Sequence, residues 1–597
     1  MLAEFLKQAK EDEPVYITDV RAAFQKSGTR PFHLLVMLYD GSRRDFPLLL
    51  PEVCHEEEEE FVASFVYAML YNILSALGAV KIGVYLDRND TRTLALAEGL
   101  DEVFQTFLPK EERSGYGKCL NVNERVLAVL SGGSEHFRFE INDIREKPEL
   151  SEPETGSGKE PVFTSLPAIA KDKMILGIDI GGTDIKLTAS VEGKLAVCKE
   201  FDWYPAAFLR AEQLIDPVLL LVRLMRAAAS LVRAGKGALV DERALRREAS
   251  AEKMNLGIEA MEREAGECLA NFDAIGLSFP DVVIRNLIVG GETFKTRGMR
   301  ENKELDYEKQ FAKITPLCDM LRAFVTEDGV VMNTNDGPMA AFTAAVEQAA
   351  VGADVTRGFF AHTLGTELGT GWVRPDGSIP EIPLEVYNFI IDLGSYGQRE
   401  YDSNDVRSVN NFNTQLPGTL QKYTCQSGVF RLAMKDLPAG DPGALKEAFD
   451  RGLFVRNGER IIVPTEPKDM RKPCLEFFMK KASDAEQGAC AEIFRQVGEY
   501  LAVTWEETEY ILRPEAKERS LFGRLVKSPA CFALMCEGAA RREPDLRQYA
   551  ADESLANTPL MQQLEAHPDY TVAQFAQAVG AIYFGCLGLW QREGRHD

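Results

Sequence analysis

Short apolar runs with alternating polar positions open the chain. VYITDV (15–20), HLLVMLYDG (33–41) and VKIGVYLD (80–87) read as strands, and CHEEEEEFVASFVYAMLYNILSALG (54–78) reads as a helix. That alternation predicts a small α/β domain over residues 1–146, a stretch without a chemistry-bearing motif. Residues 147–173 begin polar, bear Pro and Gly, and predict a linker. A second pattern starts at Met174. Residues Leu209–Leu269 are dense in Leu, Ala, Glu and Arg at helical spacing, Gln415–Met434 and Asp484–Leu512 are also helical, and Thr571–Trp590 forms a last helix. Two segments echo each other. LGIDIGGTDIKLTAS (176–190) and HTLGTELGTGWVRPDG (362–377) are each an apolar strand, a Gly/Thr turn and a second strand. Such a repeat is what a duplicated, two-lobed fold shows.

Composition narrows the partners. The 597 residues carry 92 acidic and 68 basic side chains, a formal charge of −24. A chain this acidic repels phosphate backbones, which speaks against nucleic acid and anionic membranes as partners. The densest basic run, Arg243–Arg247, is interleaved with acids. The uncharged stretch Phe61–Val80 is about long enough to span a bilayer, but Glu56–Glu60 before it suit the positive end of a buried core helix, which is the expectation. The five glutamates read as a solvated helix start, with no other metal ligand spaced around them. Eleven scattered cysteines, without a CxxC pair, and six dispersed histidines predict free thiols in a reducing compartment and no zinc cluster. The polar start, MLAEFLKQAKEDEP, lacks a signal-peptide core, and with the free thiols the expectation is a cytoplasmic location.

Four segments could carry chemistry. In MILGIDIGGTDIKLTAS a carboxylate, Asp179, interrupts an apolar strand, which is costly unless it is paired or near a metal. Gly181 and Gly182 let backbone N–H groups approach an anion, and Thr183 adds a hydroxyl, a phosphate cradle with a carboxylate for hydrated Mg²⁺. The plainer alternative is a tight hairpin whose glycines serve positive φ. The second hairpin, with Gly365 and Thr366, offers another set of donors. In VVMNTNDGPMAAFTAAVEQA, Asn335 and Asp336 fall at a strand-to-helix corner. Asp336 is either a general base, with Asn335 holding a neighbouring hydroxyl, or an ordinary N-cap. In FDAIGLSFPDVVIRNLIVGGETFKTRGMR, Ser278 and the later Thr296 and Arg297 could bind a polyol or be plain loop residues.

Taken in this order, the four segments resemble the sugar kinases of the hexokinase and ROK families, within the actin/Hsp70/sugar-kinase superfamily. The resemblance covers about 174–597. It implies an α/β, two-lobed ribonuclease-H-like kinase fold after a separate small α/β N-terminal domain. Lobe 1 would run over 174–340 and lobe 2 over 341–597, with the final helix returning to lobe 1. It further implies an ATP-dependent kinase acting on a hexose or related sugar. Asp179, Gly181, Gly182, Thr183, Gly365, Thr366 and Gly523, the last in RSLFGRLVKSPACFALMCEGA, would meet the nucleotide, and Asp179 would hold Mg²⁺ through water. Asp336 would be the base, and Ser278, Thr296, Arg297, Asn335, Asp336 and Glu385 (in PLEVYNFIIDL) would hold the sugar.

The chain departs from the family at two places. ROK proteins have a His three residues after that Glu, and here it is Asn388. The stretch matching their zinc loop, LPGTLQKYTCQSG, keeps one cysteine, Cys425, so no structural zinc is expected. A non-catalytic sugar sensor of the same fold is the main alternative, and Asp179, Asn335 and Asp336 argue against it, because a sensor needs no base. A DNA-binding ROK repressor is the other, and the charge of −24 predicts no binding. A homo-oligomer is left open.

Overall fold

The structure is a computed structural model, and it describes residues 1–133, 135–150, 162–290, 296–551 and 556–594. The chain divides into two compact units. The first comprises Met1–Thr155, Ala361–Thr370 and Ile382–Ala551, and the second Gly156–Phe360, Gly371–Glu381 and Asp552–Asp597. This division corrects the expected boundaries. Residues 1–146 share a unit with most of 341–597 instead of standing apart, and the chain beyond 340 is split between both units.

In the first unit, helix α1 (Ile17–Ser27) occupies most of the VYITDV segment, where a strand was expected. Ile17, Val20 and Phe24 are all buried, a spacing of three and four that six residues of alternation cannot reveal. Strands β1 (Arg30–Met37), β2 (Arg43–Phe46), β3 (Lys81–Leu86) and β4 (Arg138–Asp143) form a sheet in the order β2–β1–β3–β4, and Leu49–Leu50 also pairs with β1. Helix α2 (Glu56–Leu77) begins with the four exposed or half-exposed glutamates of its first turn and buries nearly every residue after Phe61. A helix apolar on all sides needs cover on all sides, more than one small sheet provides. The cover comes from the 382–551 segment. The amide of Asn72, on α2, donates to Ile390 O and Glu507 Oε1, each at 3.0 Å, and Ile390 N donates back to Asn72 Oδ1 at 2.7 Å. Arg21 pairs with the same Glu507, and Val15 N donates to Asp392 Oδ1 at 2.7 Å. These buried polar links, all within one unit, are why residues 1–146 do not form a domain of their own.

The second unit is built on strands β5 (Met174–Ile180), β6 (Asp184–Val191), β7 (Lys194–Asp202), β8 (Phe272–Phe279) and β9 (Val325–Asn335), in the order β9–β8–β5–β6–β7. β9, β8 and β5 run parallel, and β5–β6–β7 is an antiparallel meander. The expected long helix over Leu209–Leu269 is broken into α3 (Glu212–Arg233), a turn at Glu242–Leu245 and α4 (Ala251–Ala265). Gly235 at φ +72° ends the first piece, and the side chains of Asp241 and Ser250 cap the next two. Even-numbered β5 residues Leu176 and Ile178 join a core with Leu214, Val218 and Leu221 of α3. Helix α5 (Asp336–Ala350) follows β9 directly. Val162, Phe163 and Leu166 are buried, with Phe163 6.1 Å from the ring of Phe342. Residues 162–173 are therefore packed rather than linking, and 151–161 of the expected linker lie outside the described residues.

Strands β10 (Phe359–Leu364) and β11 (Leu368–Val373) carry the second Gly/Thr turn. Helix α6 (Cys425–Gly440) starts later than Gln415, because Pro417 bridges with Asn410 and Thr419 with Ile390 instead. Helix α7 (Ala489–Leu512), strand β12 (Glu518–Phe522), helix α8 (Pro529–Arg542) and strand β13 (Arg547–Ala550) follow, and the sheet order is β11–β10–β12–β13. Helix α9 (Val572–Glu593) lies on the second unit's sheet. A Cβ at Gly177 would fall 1.9 Å from Ala578 O, and one at Gly276 1.7 Å from Ala581 O, so glycine lets β5 and β8 touch the helix backbone. Helices α2 and α9 are each long and apolar enough to cross a membrane, and 78% of the most apolar window of each is buried in the protein.

Candidate functional site

The antiparallel register of β5 and β6 sets Asp179 opposite Lys186, and the parallel register of β5 and β8 sets it beside Ser278. Ser278 in turn pairs with Thr334 on β9. Cross-strand neighbours share a face, so Lys186, Asp179, Ser278 and Thr334 form one polar row across the ends of four strands. Asp336 follows two residues after Thr334, at the first turn of α5. Burial pushes the Asp179 carboxyl up to about 6; Lys186 and a hydrogen bond from Ser278 pull against that, while Asp336 and Asp184 add to it. The effect of Asp336 on Asp179 places the two carboxylates in one electrostatic neighbourhood.

The first turn is a closed hairpin. Gly181 N donates to Asp184 O at 2.8 Å, and Trp203 braces it by donating Nε1–H to Gly181 O at 3.0 Å and N–H to Thr183 O at 3.0 Å. Neither Gly181 nor Gly182 takes a positive φ, so left-handed backbone is not why glycine stands there. Close approach is: a Cβ at Gly181 would meet Asp184 O at 2.8 Å. Thr183 is exposed. Lys186 Nζ is held by Asp184 at 2.6 Å.

Asn335 is the residue that caps α5: its Oδ1 accepts from Gly337 N at 2.9 Å, and its amide donates to Asp281 O at 2.8 Å. Gly337 N also lies 2.9 Å from Asp336 Oδ1. The cap and the candidate base are thus different residues, and the capping alternative for Asp336 belongs chiefly to its neighbour. Asp281, 5% exposed, was missed by motif reading although it directly follows Ser278-Phe279-Pro280. A narrow cavity brings Gly181 and Asp281 together with Thr296, lined also by Trp203, Phe279 and Pro280.

The expected sugar loops are less open than their sequence suggests. Ser278 is still inside β8, fully buried, with its hydroxyl 3.2 Å from Gln577 Oε1. Thr296 is 3% exposed and shares a hydrogen bond with Tyr307 at 3.0 Å. Arg297 is exposed and lies 3.9 Å from Glu301 on its own helix turn.

The second turn has other neighbours. Gly365 O accepts from Gln426 N at 3.3 Å. Gly523 takes φ +96°, and a Cβ there would fall 2.4 Å from Leu364 O, so glycine is required where β12 ends against β10. A pocket of about 350 Å³ joins Gly365 and Thr366 to Arg471, Lys472, Arg524 and Lys527, with Asp469 and Gln426. These four cations come from two distant segments and carry no local signal. Glu385, in the first unit, accepts from the Asn388 amide at 3.2 Å, and its backbone N–H donates to Ser75 O at the end of α2 at 3.1 Å. Its carboxylate is the largest cause raising the Tyr387 hydroxyl, and it adds to burial in raising those of Tyr39 and Tyr71. Cys425 is buried, and among the described residues no group of three or more His, Cys, Asp or Glu could hold a metal ion.

No protein-family model and no curated protein matches the chain. Solved structures similar to it are sugar kinases of the ROK and hexokinase kind. A ROK family protein from Streptococcus pneumoniae TIGR4, in complex with sucrose, is 12% identical over 71% of this chain and 99% of its own, with a TM-score of 0.34. The ROK hexokinase of Thermus thermophilus is 15% identical over 70% and 99%, with a TM-score of 0.36. Leishmania braziliensis glucokinase is 11% identical over 71% and 97%, with a TM-score of 0.37. Likenesses this distant assign no role to any residue.

Proposed function

We propose that this chain is an ATP-dependent sugar kinase that moves the γ-phosphoryl group of ATP to a hydroxyl of a hexose or related sugar. The observation that carries the reading is the polar row Lys186, Asp179, Ser278 and Thr334, with Asp336 two residues beyond Thr334 and helping to raise the Asp179 carboxyl. A desolvated carboxylate inside an apolar strand is costly even beside Ser278 and Lys186, and a site that spends stability on one has a use for its charge.

In this reading Asp336, in the first turn of α5, takes the proton from the attacking sugar hydroxyl as the oxygen–phosphorus bond forms and the bond to the ADP oxygen breaks. Asn335, fixed by Gly337 N and Asp281 O, keeps the corner rigid. Ser278, Thr296 and Arg297 are assigned to the sugar on the resemblance. The Gly365–Thr366 pocket, with its four cations, suits nucleotide phosphates. Asp179 offers a carboxylate of the kind that holds hydrated Mg²⁺ through water. Bound with the nucleotide, the ion would neutralise charge on the transferred group. Asp179, with a carboxyl raised to about 6, is ready to regain full ionisation beside a cation.

The test is ADP release from ATP, Mg²⁺ and a panel of hexoses and amino sugars, run with the unaltered protein and Asp336→Asn. Turnover with at least one sugar, lost in the variant, is expected. Saturable sugar binding without turnover would make the protein a sensor.

A further inference from the structure

The first unit holds a second pocket, of about 450 Å³, that shares no lining residue with either phosphate-turn cavity. Its apolar lining is Phe61 from α2 with Ile390 and Leu393, all buried, and the half-buried rings of Tyr116 and Tyr396 also face it. Its cations are Lys10, which is paired with Glu57, and Arg399. The guanidinium lies 4.4 Å from the centre of the Tyr396 ring and donates from Nη2 to Leu393 O. Its Nε is buried without a hydrogen-bond partner, and no Asp or Glu of the described residues forms an ion pair with it.

That is an odd state for an arginine in a chain with 92 acids and 68 bases. Nε itself is out of a ligand's reach, but the guanidinium lines the pocket without a carboxylate on it, and a guanidinium is best satisfied by a planar or tetrahedral oxyanion. The pocket's own acids do not serve. Asp392 is engaged by Val15 N, Gly394 N and the Tyr423 hydroxyl, and Glu57 is bound by Lys10 at 2.5 Å. Glu60, also on the lining and exposed, disfavours a polyanion. The aromatic and aliphatic walls favour a flat, weakly polar body of a size common for small ligands.

We infer that this pocket binds a small organic anion, one carboxylate or phosphate monoester on a ring, with the oxyanion on Arg399 and the ring against Tyr396, Tyr116 and Phe61. Residues from both 1–146 and 382–551 line it, so the ligand would brace the N-terminal segment within its unit. This inference does not depend on the kinase reading, because its readout is binding alone.

Isothermal titration of the full chain with benzoate and phenyl phosphate tests it. Benzyl alcohol serves as the neutral ring and inorganic phosphate as the anion without one. One or both ring anions should saturate, the tighter one showing which oxyanion the site prefers, and both controls should bind at least tenfold more weakly. Arg399→Gln should weaken the preferred anion tenfold or more. Ser64→Phe, which fills the pocket from the α2 side and leaves Arg399 in place, should do the same, and melting curves would show that the variants fold. The inference is overturned if neither ring anion saturates at millimolar concentration, if benzyl alcohol binds as tightly as the anions, or if both variants bind like the unaltered protein.

Discussion

The two Gly/Thr turns look like copies in sequence and differ in what surrounds them. Beside Gly181–Thr183 the sheet presents Asp179, and Asp336 and Asp281 stand close by, with the nearest cation, Lys186, already held by Asp184. Beside Gly365–Thr366 stand Arg471, Lys472, Arg524 and Lys527. Similar backbone turns therefore serve opposite electrostatics. The acidic one suits a metal and a proton acceptor, and the basic one suits the phosphate anion itself. A turn shows that an anion can approach; only its neighbours show which chemistry follows.

The sharpest way to break the comparison is at the acidic turn. Asp336→Asn should lower turnover by roughly 10²-fold or more while sugar binding is kept. Equal rates in isothermal assays would remove the base from that turn.

Gly276→Ala should follow in size. Its methyl would lie 1.7 Å from Ala581 O, so β8 or α9 must shift, at a cost of about 3 kcal/mol in denaturant unfolding. An unchanged midpoint would show that the second unit's row does not rest on that close packing.

Asp179→Asn separates function from stability. The folded carboxyl titrates near 6, above its ordinary 3.8. A raised acid favours folding while protonated in both states, and that stability is lost as pH climbs from about 4 to about 6. The variant should therefore be more stable than the unaltered protein by about 2–3 kcal/mol at pH 7, equal to it near pH 3, and poor in turnover. No stability difference at pH 7 would mean that the charge is already compensated.

The smallest effect belongs to the basic turn. Arg524 is partly exposed and shared with Glu476 at 2.6 Å, so Arg524→Ala should raise the nucleotide KM only a few-fold, about 1 kcal/mol, with kcat nearly kept. A large fall in kcat instead would move catalytic work to this turn.

Much of the acidic site was legible. The Gly-Gly bend after a strand carrying Asp179 announces a hairpin, and a hairpin closing at Gly181 and Asp184 already sets Lys186 opposite Asp179. Asn335 and Asp336 before Pro338 announce a helix start, although which of them caps it was settled by Gly337 N and Asp281 O. The basic pocket was not legible, because its cations come from residues 471–472 and 524–527, each unremarkable in its own segment. The N-terminal strand expected at VYITDV failed for a related reason. Six residues do not fix a period, and burial of Ile17, Val20 and Phe24 chose the helix.

By itself the sequence determined the local objects: the apolar strands, the glycine bends, the helix starts and the acidic balance. These follow from steric freedom at glycine, from side-chain period and from charge, all of which act over a few residues. Tertiary structure alone decided which objects share a unit. The buried Asn72–Glu507–Ile390 links joined residues 1–146 to the chain beyond 382, and the backbone contacts of Gly177 and Gly276 seated α9 on β5 and β8. Burial and long-range pairing bring together residues hundreds of positions apart, and no local pattern encodes that distance.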